Sequence, residues 1–365
     1  MKKIFLEACW DILDSMRVPI TAKDRKSGIY PYYGANGLQD YVSDYIFDDE
    51  LVLLSEDGGH FNSKEHPIAY RVSGKCWVNN HAHVLKPKSG IDVGYLCYTL
   101  MFYDVSKMIN GTTRKKLNQS SMRKMLIPIV NYNEQLAIVY RLKIIENLID
   151  NRHQQLNLLD ELIKSRFIEM FGDPVINSMG WEIKKLSKIS EYFNGLTYSP
   201  DNIVDDGIIV LRSSNIQNGI LDFNDIVRVN SKIKEKIFVK NDDILMCSRN
   251  GSAKLVGKSC IIKDLQEPMT FGAFMMIIRS QYNKYLIQYL QLPAFRRQIK
   301  TAATTTINQI TVKMLDNIIL PLPPIELQNK FAAFVEQVEK SKETIKKSLD
   351  ELNLLKNSLM QKYFG

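Results

Sequence analysis

Residues 132–174 read YNEQLAIVYRLKIIENLIDNRHQQLNLLDELIKSRFIEMFGDP. Within this stretch Ile138, Leu142, Ile145, Ile149, Arg152, Leu156, Leu159 and Ile163 follow one another at intervals of four and three. That is a heptad seam, apolar at seven of its eight positions. No glycine or proline interrupts it before Gly172-Asp173-Pro174, and a glycine with a proline just beyond is a helix stop. The spacing predicts a helix of about 40 residues, roughly 60 Å long at 1.5 Å per residue. A stripe of that length is too long for one small domain to cover, so the helix needs a partner.

The chain supplies one by repeating itself. SRFIEMFG (165–172) returns as SLMQKYFG (358–365), Pro128 as Pro321, Gln135 as Gln328, and DELVLLSEDGG (49–59) as DDILMCSRNGS (242–252), each 193 residues on. The same offset carries the seam to Phe331, Val335, Val338, Lys342, Ile345, Leu349, Leu352 and Lys356, six of them apolar. The charged slots do not coincide: Arg152 maps to Ile345, and Ile149 to Lys342. A unit this long is not a solenoid repeat. It predicts two similar mixed α/β (α+β) domains, related by pseudo-two-fold symmetry and joined by two long antiparallel coiled-coil helices. The expected boundaries are 1–130 for the first domain, 131–172 for the first spacer helix, 173–324 for the second domain and 325–365 for the second helix. The competing arrangement packs each helix on its own domain alone.

Outside the helices turn signals are dense, as at Ser27-Gly28, Gly34-Ala35-Asn36-Gly37, Asp57-Gly58-Gly59 and Ser73-Gly74. Glu50–Ser55 and Trp77–Leu85 read as strands and Gly94–Tyr103 as a short helix. Leu320-Pro321-Leu322-Pro323-Pro324 is a rigid extended stop before the second helix, the part played by Ile127-Pro128 in the first copy.

At 365 residues, 45% hydrophobic and 24% charged, the chain can bury two cores. Its net charge of +8 favours an acidic partner, nucleic acid first. Cys9, Cys76, Cys97, Cys247 and Cys260 stand singly, which argues against a disulfide framework or a zinc cluster and fits a reducing cytosol. The N-terminal apolar run is broken by Glu7, Asp11 and Asp14, unlike a signal peptide, and no apolar run of about 18 residues exists to span a membrane. A prokaryotic cytoplasmic protein is expected.

Catalytic lures fail on inspection. GSAKLVGKS (251–259) spaces its glycines one residue too far apart for a phosphate loop, lacks the following helix and reads as a glycine-rich hairpin. His81 and His83 map to Phe274 and Met276, which read as core-like, so a buried or hydrogen-bonded pair is expected and no metal. Histidine-based chemistry shared by the copies is ruled out, since the second copy has no histidine. Asp48-Asp49-Glu50 and Asp242-Asp243 sit before strands and read as turn or capping residues. No glycine-rich methyl-donor loop or Asn-Pro-Pro-aromatic tetrapeptide is present. The chain is therefore expected to perform no chemistry itself.

The polar loops suit nucleic acid better, because hydroxyls and cations hold phosphates while Asn, Gln and Arg read base edges. In copy one the candidates are Tyr32, Tyr33, Asn36, Asn79, Asn80, Thr112, Thr113, Arg114, Lys115 and Lys116. In copy two they are Arg212, Ser213, Asn215, Arg249, Asn250, Lys254, Thr304, Thr305 and Thr306. Asn118-Gln119, aligned with Asn308-Gln309 at an offset of 190, is expected to begin a helix. Glu56-Asp57-Gly58 becomes Arg249-Asn250-Gly251 in the same frame. A shared scaffold with exchanged loop residues suits two domains that read two different sequences.

SRFIEMFGDP (165–174) with Asn177 and Gly180-Trp181, TRKKLNQSSM (113–122) before Ile127-Pro128, LPLPPIELQNKF (320–331), WVNNHAHVL (77–85) and YPYYGANG (30–37) resemble the specificity subunit of type I restriction–modification systems. The likeness runs the length of the chain. It implies two target-recognition domains, each for half of a bipartite duplex DNA site, and helices that set the spacing and dock two methyltransferase subunits. Two restriction–translocase subunits are a further implied partner. The subunit would bind no cofactor of its own; S-adenosylmethionine, ATP and Mg²⁺ would be used by the partners. Both copies read as whole, with no half-length form implied. The rival functions are the DNA-recognition part of a restriction or methylation enzyme with its own activity, and a coiled-coil scaffold without DNA binding.

Overall fold

A computed structural model describes residues 2–61, 66–111, 115–302 and 308–365. Two helices of 40 residues, Tyr132–Phe171 and Ile325–Phe364, dominate it. Every heptad-seam position on both is buried or half-buried. Gly172 closes the first helix at φ +77°, a left-handed conformation that glycine adopts without steric cost.

The chain divides into two compact units, residues 1–154 with 345–365, and residues 155–344. Each long helix is therefore shared between units, a division that differs from four consecutive segments. Within the first unit Arg141 Nη1 donates to Tyr363 Oη (3.2 Å), Lys356 Nζ pairs with Glu146 (2.8 Å) and Arg152 Nε donates to Ser348 Oγ (3.2 Å). One residue number rises as the other falls, so the helices run antiparallel. The second unit shows the same sense: Asp160 pairs with Lys342 (2.5 Å), Arg166 lies over the Phe334 ring (5.8 Å), and Phe167 meets Phe331 edge-on (5.6 Å). The cations that interrupt the apolar seam thus each have a polar partner across it. That is how a charge is kept at a seam position without losing the pairing.

The first unit carries a six-stranded sheet in the order Trp10–Ile12, Ala82–Pro87, Phe47–Ser55, Ala69–Val78, Ser27–Gly34 and Gly37–Val42. Only the pairing of Ser27–Gly34 with Ala69–Val78 is parallel. Along the central strand Phe47–Ser55 the side chains alternate between two cores. Val52 and Leu54 join Leu85 and the helix Val93–Phe102, together with Ile138, Leu142, Met360, Tyr363 and Phe364 of the long helices. Leu51 and Leu53 face the other way, with Val72, Val78 and Val84. The second unit has two four-stranded sheets. One orders Glu191–Asn194, Met275–Arg279, Ile244–Cys247 and Ser259–Ile261; the other orders Ile203–Val204, Arg228–Val229, Ile208–Leu211 and Met269–Phe271.

The repeat extends to single hydrogen bonds, with the tyrosine pair 190 residues apart and its acceptors 193 apart. Tyr95 Oη donates to Pro128 O (3.1 Å), and Tyr285 Oη to Pro321 O (2.8 Å). Buried Gln135 donates to Val130 O (2.9 Å), and buried Gln328 to Pro323 O (2.7 Å). Each pair satisfies carbonyls at the junction from proline strand to long helix, where a buried orphan would be costly.

Several local expectations change. Trp77–Leu85 is two strands broken by a turn at 79–81. Asp48, Asp49 and Glu50 lie inside Phe47–Ser55, not ahead of it. Asp242 is a turn residue at φ +66°, while Asp243 is buried and pairs with Arg279 (2.6 Å). Asn118 caps the helix Gln119–Arg123, accepting from Ser121 N (2.8 Å), but its counterpart is Thr311, which caps Val312–Asp316. The 193 offset holds there too, and the 190 alignment with Asn308 is wrong. Around the glycine–lysine–serine lure, Ser259–Ile261 pairs antiparallel with Ile244–Cys247 as a hairpin. Among the described residues no helix is long and apolar enough to cross a membrane.

Candidate functional site

The candidate loops of each unit gather at one place. In the first unit Asn36 Nδ2 donates to Gly58 O (3.0 Å), and Ser55 Oγ to Ala35 O (2.7 Å). Glu56 N donates to His81 O (2.9 Å) and Leu117 N to Glu56 O (2.8 Å), while Asp57 bridges Lys116. In the second unit Ile310 N donates to Ser248 O (2.7 Å), Asn250 N to Asn308 O (3.3 Å) and Asn308 Nδ2 to Gly251 O (3.1 Å). Asn250 Nδ2 reaches Ser213 Oγ (3.4 Å), and Arg249 bridges Gln309. Loops distant in sequence thus share one surface, built alike in both units.

Of the residues singled out from the sequence, Thr112, Thr113, Arg114, Thr304, Thr305 and Thr306 lie outside the described residues. Asn36, Asn80, Lys116, Arg249 and Lys254 are exposed; Tyr33, Lys115, Arg212, Ser213 and Asn250 are half-buried. Arg212 is paired with Asp225 (2.6 Å). Three are corrected. Tyr32 is 1% exposed, its hydroxyl donating to Ile20 O (3.3 Å) beneath the Arg25 guanidinium. Asn79 is buried in its turn, accepting from His81 N (2.8 Å) and donating to Gln39 (3.1 Å). Asn215 is buried likewise, accepting from Arg212 N (2.8 Å) and donating to Asp222 O (3.0 Å) and Asp225 O (2.9 Å). Their hydrogen-bonding capacity is spent on shaping the loops, and little is left to meet a ligand.

Beneath the first cluster lies an ionic network that the sequence did not reveal. Asp14 accepts from His83 Nδ1 (2.6 Å), Gln119 Nε2 (2.9 Å) and Val84 N (2.9 Å). The other ring nitrogen of His83 meets Leu117 O (2.8 Å). Glu56 pairs with Arg17 (2.6 Å) and Lys116 (2.9 Å). Burial pushes the Asp14 carboxyl up, but the bonds and charge from His83, with Val84 and Gln119, outweigh it and hold Asp14 below its ordinary value. Glu56 is likewise held low, as bonds from Lys116 and Arg17 outweigh burial. Donor atoms of Asp14, Glu56 and His83 lie within 4.8 Å of one another, a spacing open to a metal ion. Arg17 already acts as the cation there, Nη1 lying 2.6 Å from Glu56 and Nη2 3.6 Å from Asp14. His81 is paired with Asp57 (2.7 Å).

The second cluster has different chemistry at the equivalent positions. The backbone bonds place Arg249 where copy one has Asp57, one residue off the expected frame, with Ser248 in the place of Glu56 and Phe274 in that of His81. Phe274 is 60% exposed and not part of the core, contrary to its apolar character. The five cysteines are buried, and burial pushes the Cys9 and Cys76 thiols up to about 11, far from a reactive thiolate. The arrangement offers hydrogen-bonding and cationic loops on a fixed scaffold, which is chemistry for binding.

The family model of the type I restriction modification DNA specificity domain matches residues 9–161 and 179–354. A Haemophilus influenzae protein named as type I restriction enzyme specificity subunit S.HindORF215P is 35% identical over 134 residues, which are 37% of this chain but only 34% of that protein. The StySPI specificity subunit of Salmonella potsdam is 24% identical over 326 residues, 80% of this chain and 69% of that one. The crystal structure of a type I restriction–modification S subunit from M. genitalium shares the fold, with a TM-score of 0.60 at 14% identity over 100% of this chain and 96% of that one.

Proposed function

Since the chain belongs to the type I restriction modification DNA specificity family, we propose that it selects the DNA target of such a system without catalysing a reaction itself. Each unit's loop cluster reads one half of a bipartite duplex site. The paired helices set the spacing of the halves and dock two methyltransferase subunits, with restriction–translocase subunits as further partners. S-adenosylmethionine, ATP and Mg²⁺ serve those partners.

One observation carries this reading. The two clusters are held by matching backbone bonds, while the side chains they present differ. Asp57, His81 and Lys116 in one stand against Arg249, Phe274 and Gln309 in the other. Identical framing with different polar residues is what two half-site readers need, because base edges are distinguished by donor and acceptor pattern.

The test is adenine methylation across the host genome with and without this gene. Loss of one bipartite methylated motif is expected; an unchanged pattern in a host expressing the system overturns the proposal. A narrower prediction concerns exposed Lys254. Lys254→Ala should weaken binding evenly across sequences and reduce the slope of log K against log salt by about 0.9, the share of one phosphate contact. Titrations at several salt concentrations measure this, and an unaltered slope removes Lys254 from the interface.

A further inference from the structure

Phe274 is a large apolar side chain placed in the open on a rigid mount. Its carbonyl accepts from Ser248 N (2.9 Å), Arg249 N (3.1 Å) and Ser248 Oγ (3.0 Å), and Met275 N donates to Gly272 O (2.8 Å) across the same turn. Three bonds on one carbonyl fix the turn to the loop that bears Arg249 and Asn250. Single exposed apolar residues are common on protein surfaces and by themselves mean nothing. This one differs in its mount and in its company. The Arg249 guanidinium lies over the ring, 5.5 Å from its centre. Among the described residues no carboxylate is paired with Arg249.

The equivalent position in the first unit shows what has been left open. There Asp57 holds the place of Arg249 and is tied to His81 (2.7 Å), which holds the place of Phe274. Copy one neutralises this spot from within. Copy two presents an unneutralised cation and an aromatic ring at it, both turned to solvent.

We propose that Phe274 is a specificity-determining residue whose ring contacts the 5-methyl group of a thymine in the major groove. This rests on the half-site reading above and names a base for it. Two considerations select the methyl group. It is the apolar feature of the major-groove edge, and aromatic side chains meet it there. The other apolar use of such a residue, a wedge between base pairs, needs both ring faces free, and Arg249 covers one. Contact with a methyl group needs only the free face or the edge.

The test uses the assembled complex with its methyltransferase partners and duplexes carrying the methylated motif. Each thymine is replaced in turn by deoxyuridine, which removes the methyl group alone. Wild type should lose affinity about four-fold at one position, the worth of one buried methyl. Phe274→Ala should show no such loss there, and its genomic motif should relax at that base pair alone. Phe274→Leu, still apolar, should keep part of the methyl dependence. If no thymine shows methyl dependence in wild type, or if Phe274→Ala retains it, the assignment is wrong. A misfolding variant does not rescue it, because the wild-type scan still decides. A motif written normally without methyl dependence refutes Phe274 alone, whereas a motif that does not depend on this gene refutes the half-site reading itself.

Discussion

Asp14→Ala should lower the stability of the first unit by about 3–5 kcal/mol, the range for removing one partner from a buried charge pair. The change strips His83, Gln119 and Val84 N of their acceptor while all three stay in place. It also loosens the loop around Lys116, which is held through Leu117 O and Glu56. The tryptophans allow each unit to be followed: Trp10 and Trp77 lie in the first and Trp181 in the second. With Trp181 replaced by phenylalanine, urea unfolding reports the first unit. A loss under about 1 kcal/mol would put Asp14 among ordinary surface ion pairs. Acid gives an independent check. Asp14 and Glu56 are held below their ordinary values, so their contribution is full above the unfolded carboxylate range near pH 4 and is lost as pH falls through the lower folded values. The wild-type urea midpoint should fall with acid in that window, and the Asp14→Ala midpoint should fall less.

Phe331→Ala should destabilise the second unit by about 3–5 kcal/mol, the range for deleting a buried phenyl ring. Phe331 is 0% exposed and meets Phe167 (5.6 Å), Phe171 (5.3 Å) and Phe334 (6.3 Å). The rings sit too close-packed to collapse into the space left, so most of the cavity should persist. Trp181 Nε1 donates to Phe171 O (2.9 Å), which makes its fluorescence a local reporter. The same substitution should leave the Trp10 and Trp77 transition nearly unshifted. A joint shift of all three would mean that the two units unfold as one.

The helices were legible because period is a one-dimensional signal: Ile138, Leu142 and Ile145 declare their shared face whatever surrounds them. The charged slots were legible for the same reason, and Lys342 and Arg152 appear across the seam with polar partners. The network around Asp14 was not. Its members come from residues 14, 17, 56, 83, 116 and 119, and no local pattern links them before the sheet and the loops bring them together. Asn36, Asn79 and Asn215 show a different limit. Asparagine serves both as a turn former and as a reader of base edges, so the residue type alone left the role open. Burial then separated exposed Asn36 from the other two. Phe274 was misjudged as core because apolar character predicts burial only on average.

The division of the chain has a consequence for the order in which it can mature. Met360, Tyr363 and Phe364 belong to the same apolar cluster as Leu6, Cys9 and Trp10. On the ribosome, then, residues 1–154 wait for a segment translated almost two hundred residues later. Until residues 345–365 emerge, the apolar face of the helix that begins at Tyr132 has no native cover in the first unit. The second unit, drawn from residues 155–344 without interruption, can close earlier. A ribosome that stalls before residue 345 therefore holds a chain whose first unit is the unfinished one, although its residues were made earliest of the two.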